Sequence, residues 1–121
     1  MNIAIGADHG GVDLKHAIVT RLQAAGHTVC DFGTDSSESV DYPDFSSKVA
    51  RGVVSGRYDR GILVCKSGVG MCMAVNRYRG IQGANVRSVA ETITTRQHND
   101  ANVLCLGAGV LDTDEALAMV D

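Results

Sequence analysis

The sequence predicts a doubly wound α/β domain, a parallel sheet with helices on both faces. Three observations carry the prediction. Strand-length apolar runs alternate with segments of helical periodicity from one end of the chain to the other. The connections between them are short, as in βαβ units. The run from Gly61 to Cys65 is apolar throughout rather than at alternate residues, which marks a strand covered on both faces.

Taken in order, Asn2 to Ala7 reads as a first strand ending at Asp8-His9-Gly10-Gly11. Leu14, Ile18 and Leu22, with Ala17 and Ala25 beside them, mark a helix that stops at Gly26. Thr28 to Phe32 is a second strand, and Gly33 to Asp44, which holds Pro43, reads as a polar loop. Phe45, Val49 and Val53 mark a second helix closed by Gly56, and Gly61 to Cys65 is the third strand. Gly68 and Gly70 punctuate the next loop, and Met71 to Arg77 reads as a short helix. Ile81 to Val86 is a weaker fourth strand, after which Ser88 and Glu91 spell a capping box. Asn102 to Leu106 is the fifth strand, and Asp112 and Glu115 start a last helix. There is no internal repeat, linker or low-complexity stretch.

The chain has 121 residues, enough for one hydrophobic core, and a net charge of -3. No basic stripe faces nucleic acid, and the apolar runs are too short for a membrane span. The chain opens directly on a core strand rather than on an export signal. Cys30, Cys65, Cys72 and Cys105 show neither a C-x-x-C pair nor zinc-ligand spacing, so reduced thiols in the cytoplasm are expected.

In doubly wound folds, ligands bind outside the carboxyl ends of the strands. The candidates are then the loops Asp8 to Gly11, Cys65 to Gly70, and Gly107 onward. The central one is Cys65-Lys66-Ser67-Gly68-Val69-Gly70, a cysteine leaving a buried strand into a glycine-rich turn. Glycines let backbone N–H groups converge there on an oxyanion or phosphate, and the same field favours a thiolate able to act as base or nucleophile. A buried structural cysteine before a tight turn fits the local pattern as well. Two related loops fail by spelling. A protein-tyrosine-phosphatase loop needs arginine where Met71 stands, and a nucleotide P-loop needs lysine and a hydroxyl where Met71-Cys72 stand. A dinucleotide fingerprint lacks its third glycine, because Met73 occupies that place.

His98-Asn99-Asp100 follows the fourth helix. A helix in a βα unit runs antiparallel to the strands, so it ends at the amino edge of the sheet, while Cys65 lies at the carboxyl edge. If His98 is catalytic, it serves Cys65 from a second copy of the chain. Asp8 leaves the first strand at the edge of Cys65 and reads either as a helix cap or as a substrate contact. Tyr42 lies in the polar loop.

Gly6-Ala7-Asp8-His9-Gly10-Gly11, Asp41-Tyr42-Pro43, Cys65-x-Ser67-Gly68-Val69-Gly70-Met71, Asn76 and Arg96-Gln97-His98-Asn99-Asp100-Ala101-Asn102-Val103 together resemble the ribose-5-phosphate isomerase B family, with its allose-6-phosphate and galactose-6-phosphate members. The resemblance spans the first strand to the fifth. It implies a Rossmann-like three-layer αβα sandwich on a five-stranded parallel sheet, and a homodimer or tetramer with sites shared across the interface. The implied reaction is metal-free and cofactor-free aldose–ketose isomerisation of a sugar phosphate, with ribose 5-phosphate and ribulose 5-phosphate as the default pair. By the same resemblance, Cys65 is the base acting through a cis-enediolate, and Ser67 supplies a hydroxyl where the family has threonine. The N–H groups from Ser67 through Gly68 and Val69 to Gly70 form the anion hole. His98 opens the furanose ring with Asp8 opposite, and His9, Tyr42 and Asn99 contact substrate hydroxyls or phosphate.

The sequence departs from the family at three places. Lys66 replaces a glycine and puts a cation beside the site, a candidate substrate contact. Gly109 replaces a phosphate-binding arginine. The chain stops at Asp121, where the family continues into a last helix and a tail with further arginines, so residues 1–121 are expected to form one isomerase domain without that end. These departures keep two alternatives open, an isomerase for a 6-phosphate hexose and a non-catalytic sugar-phosphate-binding subunit of a hetero-oligomer.

Overall fold

The computed structural model describes residues 1–33 and 42–120, except for the side chains of 42–44 and 115. The elements are β1 (Asn2–Ala7), α1 (Val12–Ala24), β2 (Thr28–Asp31), α2 (Tyr42–Val54), β3 (Arg60–Cys65), α3 (Val69–Val75), β4 (Gly83–Asn85), α4 (Val89–Asn99), β5 (Val103–Gly107) and α5 (Thr113–Val120). All five strands run parallel, in the order β2-β1-β3-β5-β4. The fold is the three-layer α/β sandwich that the alternation predicts, with β3 at its centre.

The two-residue period of a strand divides the core. Ile3, Ile5, Ile62, Val64 and Leu106 face α1 and α5, where they meet Leu14, Ile18 and Met119. Ala4, Leu63, Cys65, Val103 and Cys105 face the other way, onto Val49 of α2 and Met71 and Val75 of α3. Burying a side chain such as Ile5 or Leu63 contributes roughly 1.5–3 kcal/mol. Lys15 is fully buried on α1, and its ammonium lies 3.0 Å from the Asp31 carboxylate at the end of β2. A buried cation is tolerable only when so paired, and this pair ties α1 to the sheet. No helix among the described residues is long and apolar enough to cross a membrane.

β2, β3 and β5 differ by one residue from their sequence-based bounds, and three elements differ by more. α2 begins at Tyr42, ahead of Phe45, so Pro43 sits in its first turn instead of a loop. A missing N–H leaves nothing unpaired there. α3 begins at Val69, ahead of Met71, because Gly68 adopts φ 81 and turns the chain into the helix at once. β4 is only Gly83–Asn85, although Ile81 and Val86 on either side are buried. It pairs with β5 alone, so burial continues where the ladder has stopped.

Candidate active site

The strand order places β1, β3 and β5 side by side, so the loops leaving their carboxyl ends share one edge. Backbone hydrogen bonds lock them together. Asp8 N–H donates to Val64 O at 3.1 Å, Ala108 N–H to Cys65 O at 2.7 Å, and Gly109 N–H to Lys66 O at 2.8 Å. Gly11 must lack a side chain for this packing, since a Cβ there would stand 2.7 Å from Val64 O.

Cys65 ends β3 and is buried. Its Sγ accepts the Gly68 N–H at 3.0 Å, a donor placed to hold negative charge developing on sulfur. Ser67 is exposed one residue past Lys66, and its Oγ accepts the Val69 N–H at 3.2 Å. Two of the N–H groups expected to line an anion hole are thus held by the side chains of Cys65 and Ser67. Gly68 fits only as glycine: beyond its positive φ, a Cβ would come within 2.8 Å of Asn85 Oδ1. Asp8 is buried and closes its own turn, with Oδ1 accepting the Gly10 N–H at 2.9 Å. Exposed His9 follows it and lines a cleft of about 460 Å³ with His16, Ala108 and Thr113. The structure therefore brings Asp8, His9, Cys65, Lys66, Ser67, Gly68, Val69 and Gly70 to one edge.

His98 and Asn99 stand elsewhere. They occupy the exposed end of α4, at the amino edge, where neighbouring Arg96 and Gln97 line a cleft of about 600 Å³ with Met1 and Val103. That larger cleft is mostly apolar and lies at the opposite end of the sheet from Cys65. Tyr42 opens α2, but its side chain, like the whole of Asp41, lies outside the described residues.

Two features at the site are not evident from the sequence pattern. Asn85 ends the edge strand β4 and places its Oδ1 against the turn at Gly68; an asparagine closing a weak strand gives no signal of that. Cys72 of α3 and Cys105 of β5 lie together on the Cys65 face of the sheet, and the Cys72 thiol donates to Gly83 O at 3.6 Å. The Cys105 thiol, helped by the Asn85 backbone and the Asn76 amide against half-burial, brings the Cys72 thiol down to about 7. Cys105 is raised well above a free thiol by Cys72 beside it, then by burial. Asn76 joins α3 to β4, its Oδ1 accepting Gly83 N–H at 2.8 Å and its Nδ2 donating to Gly83 O at 3.0 Å.

With this geometry in place, comparison with known proteins is informative. Residues 3–121 match the model of the Ribose/Galactose Isomerase family. Ribose-5-phosphate isomerase B of Escherichia coli (strain K12) is 44% identical over 119 residues, covering 98% of this chain and 80% of that protein. The structure of Clostridium thermocellum ribose-5-phosphate isomerase B superposes with a TM-score of 0.99 at 49% identity, covering 100% of this chain and 82% of that one. The Mycoplasma genitalium ribose-5-phosphate isomerase B structure with bound ribulose-5-phosphate gives a TM-score of 0.94 at 40% identity, over 99% and 80% of the two chains. On sequence and fold alike, this chain belongs to the Ribose/Galactose Isomerase family.

Proposed function

We propose that this chain is a sugar-phosphate isomerase that converts ribose 5-phosphate to ribulose 5-phosphate, with Cys65 as the base and without metal or cofactor. Family membership supports the reaction class. The observation that carries the role of Cys65 is the Gly68 N–H donated to its Sγ at 3.0 Å, at the edge where Asp8 and Ser67 also converge.

The Cys65 thiolate takes the proton from C2 of the open-chain aldose, and the electron pair moves toward the carbonyl oxygen on C1. The resulting cis-enediolate is held by backbone N–H groups of the turn from Ser67 to Gly70, those of Gly68 and Val69 exchanging Cys65 Sγ and Ser67 Oγ for the developing charge. Return of the same proton to C1, with the O2 proton passed to O1, gives the ketose. The Ser67 hydroxyl assists that transfer, while His9, Tyr42, Asn99 and Lys66 contact the sugar hydroxyls and phosphate. Ring opening is a separate proton shuttle, given to His98 with Asp8 opposite.

Because His98 stands at the far edge of its own sheet, it belongs to the site of a second copy. α4 supports a homodimer. None of its residues is buried, and Val89 and Ile93 expose an apolar face. Four free cysteines suit a reducing, cytoplasmic location.

The test is turnover of ribose 5-phosphate by the purified protein in EDTA, with Cys65→Ala alongside. Loss of a general base lowers kcat by roughly 10²-fold or more. Wild-type turnover lost in the variant supports the reading. Turnover retained in Cys65→Ala, or abolished by EDTA, overturns the mechanism.

A further inference from the structure

The carboxyl edge is poor in permanent positive charge. Among the described residues of its connections, Asp8 to Gly11, Phe32 to Gly33, Lys66 to Gly68, Val86 to Ser88 and Ala108 to Asp112, the only lysine or arginine residues are Lys66 and Arg87. Arg87 follows β4, the outermost strand, whereas Lys66 follows β3, which is paired on both sides by β1 and β5. A doubly charged phosphoryl group entering a chain of net charge -3 requires a cation near where it comes to rest. Lys66 is the permanent cation that the central strands offer.

The path of its side chain is defined by two glycines. A Cβ on Gly10 would lie 3.3 Å from Lys66 Cβ. A Cβ on Gly109 would lie 2.9 Å from Lys66 Cγ and 3.6 Å from Cε. The lysine stem therefore passes Gly10 and crosses the face of Gly109, through the volume a side chain at 109 would fill. The residue is exposed, and among the described residues no ion pair holds its ammonium. The charge is held at the mouth of the site and left available.

We infer that Lys66 is the group that receives the substrate's phosphoryl end, and that Gly109 is the clearance its stem requires. The inference rests on the sugar-phosphate reading above and adds the specificity determinant to it. Lys66 acts as a point charge on a flexible stem, so it selects for the anion rather than for the sugar hydroxyls.

The experiment titrates inorganic phosphate into wild type and Lys66→Met by calorimetry and measures kcat and KM for ribose 5-phosphate and for ribose. Methionine keeps the stem and removes the charge. Phosphate affinity is expected to fall roughly tenfold or more. The kcat/KM for ribose 5-phosphate should fall mainly through KM, and its ratio to that for ribose should fall with it. Equal phosphate affinity in the two proteins, or no phosphate binding by wild type, overturns the inference. A wild type that binds phosphate through Lys66 yet turns over no sugar phosphate would sink the isomerase reading alone. Gly109→Ala tests the clearance. It should weaken phosphate binding in wild type and do so less in Lys66→Ala, where Cγ is gone. Equal losses in both backgrounds would remove Gly109 from the account.

Discussion

At the scale of residues, hydrogen bonds to sulfur assign different roles to cysteines that look alike in sequence. Cys65 receives a backbone donor from Gly68, whereas Cys72 lies beside the Cys105 thiol, which favours its thiolate. The second pair gives a prediction independent of catalysis. A lowered value means the Cys72 thiolate appears as pH rises through about 7, so its reactivity grows there. In Cys65→Ala, alkylation of Cys72 followed by peptide mass mapping should show that midpoint, with Cys105 inert. A midpoint near that of an ordinary thiol, about 8.5, would remove the Cys105 thiol from the account. The position of Cys65 at the end of β3, before the glycine turn, was legible in the chain, because a cysteine leaving an apolar run into glycines is a local pattern. The Cys72–Cys105 contact and the Asn85 side chain against Gly68 were not, because each joins residues brought together only by the strand order.

At the scale of elements, the capping box spelled by Ser88 and Glu91 forms with one change. Ser88 Oγ accepts the Glu91 N–H at 3.0 Å as expected, but Glu91 Oε1 takes the Arg87 N–H at 2.9 Å, one residue ahead of the cap. Ser88→Ala should therefore lower stability by about 1 kcal/mol in urea unfolding, with an unchanged m-value. No loss would mean that the α4 start is held by Glu91 alone. Caps are readable because they are local. The start of α2 is not, since Pro43 signals a loop and a first helical turn equally well, and the choice falls to the packing of Val49 and Ala50 against the sheet. β4 was overread for a related reason. Ile81 and Val86 are apolar because they are buried, while the pairing with β5 covers only Gly83 to Asn85.

At the scale of the whole molecule, one chain holds the proposed catalytic groups apart. Cys65, Ser67 and Asp8 gather at one edge of the sheet and His98 and Asn99 stand at the other. Strand direction and helix return dictate that separation, so it could be read from the alternation of elements before any coordinates. On the reading proposed above, a second copy closes the gap, docked so that the end of its α4 reaches the first copy's β3 loop. The direct measurement is complementation between two inactive variants, Cys65→Ala and His98→Ala. Each alone should lack turnover of ribose 5-phosphate. Mixed, and allowed to exchange subunits, they form hybrids in which one site joins the intact Cys65 of one chain to the intact His98 of the other. Random pairing restores about a quarter of wild-type turnover. A mixture that exchanges subunits yet stays inactive, or a His98→Ala variant as active as wild type, would contradict the shared site.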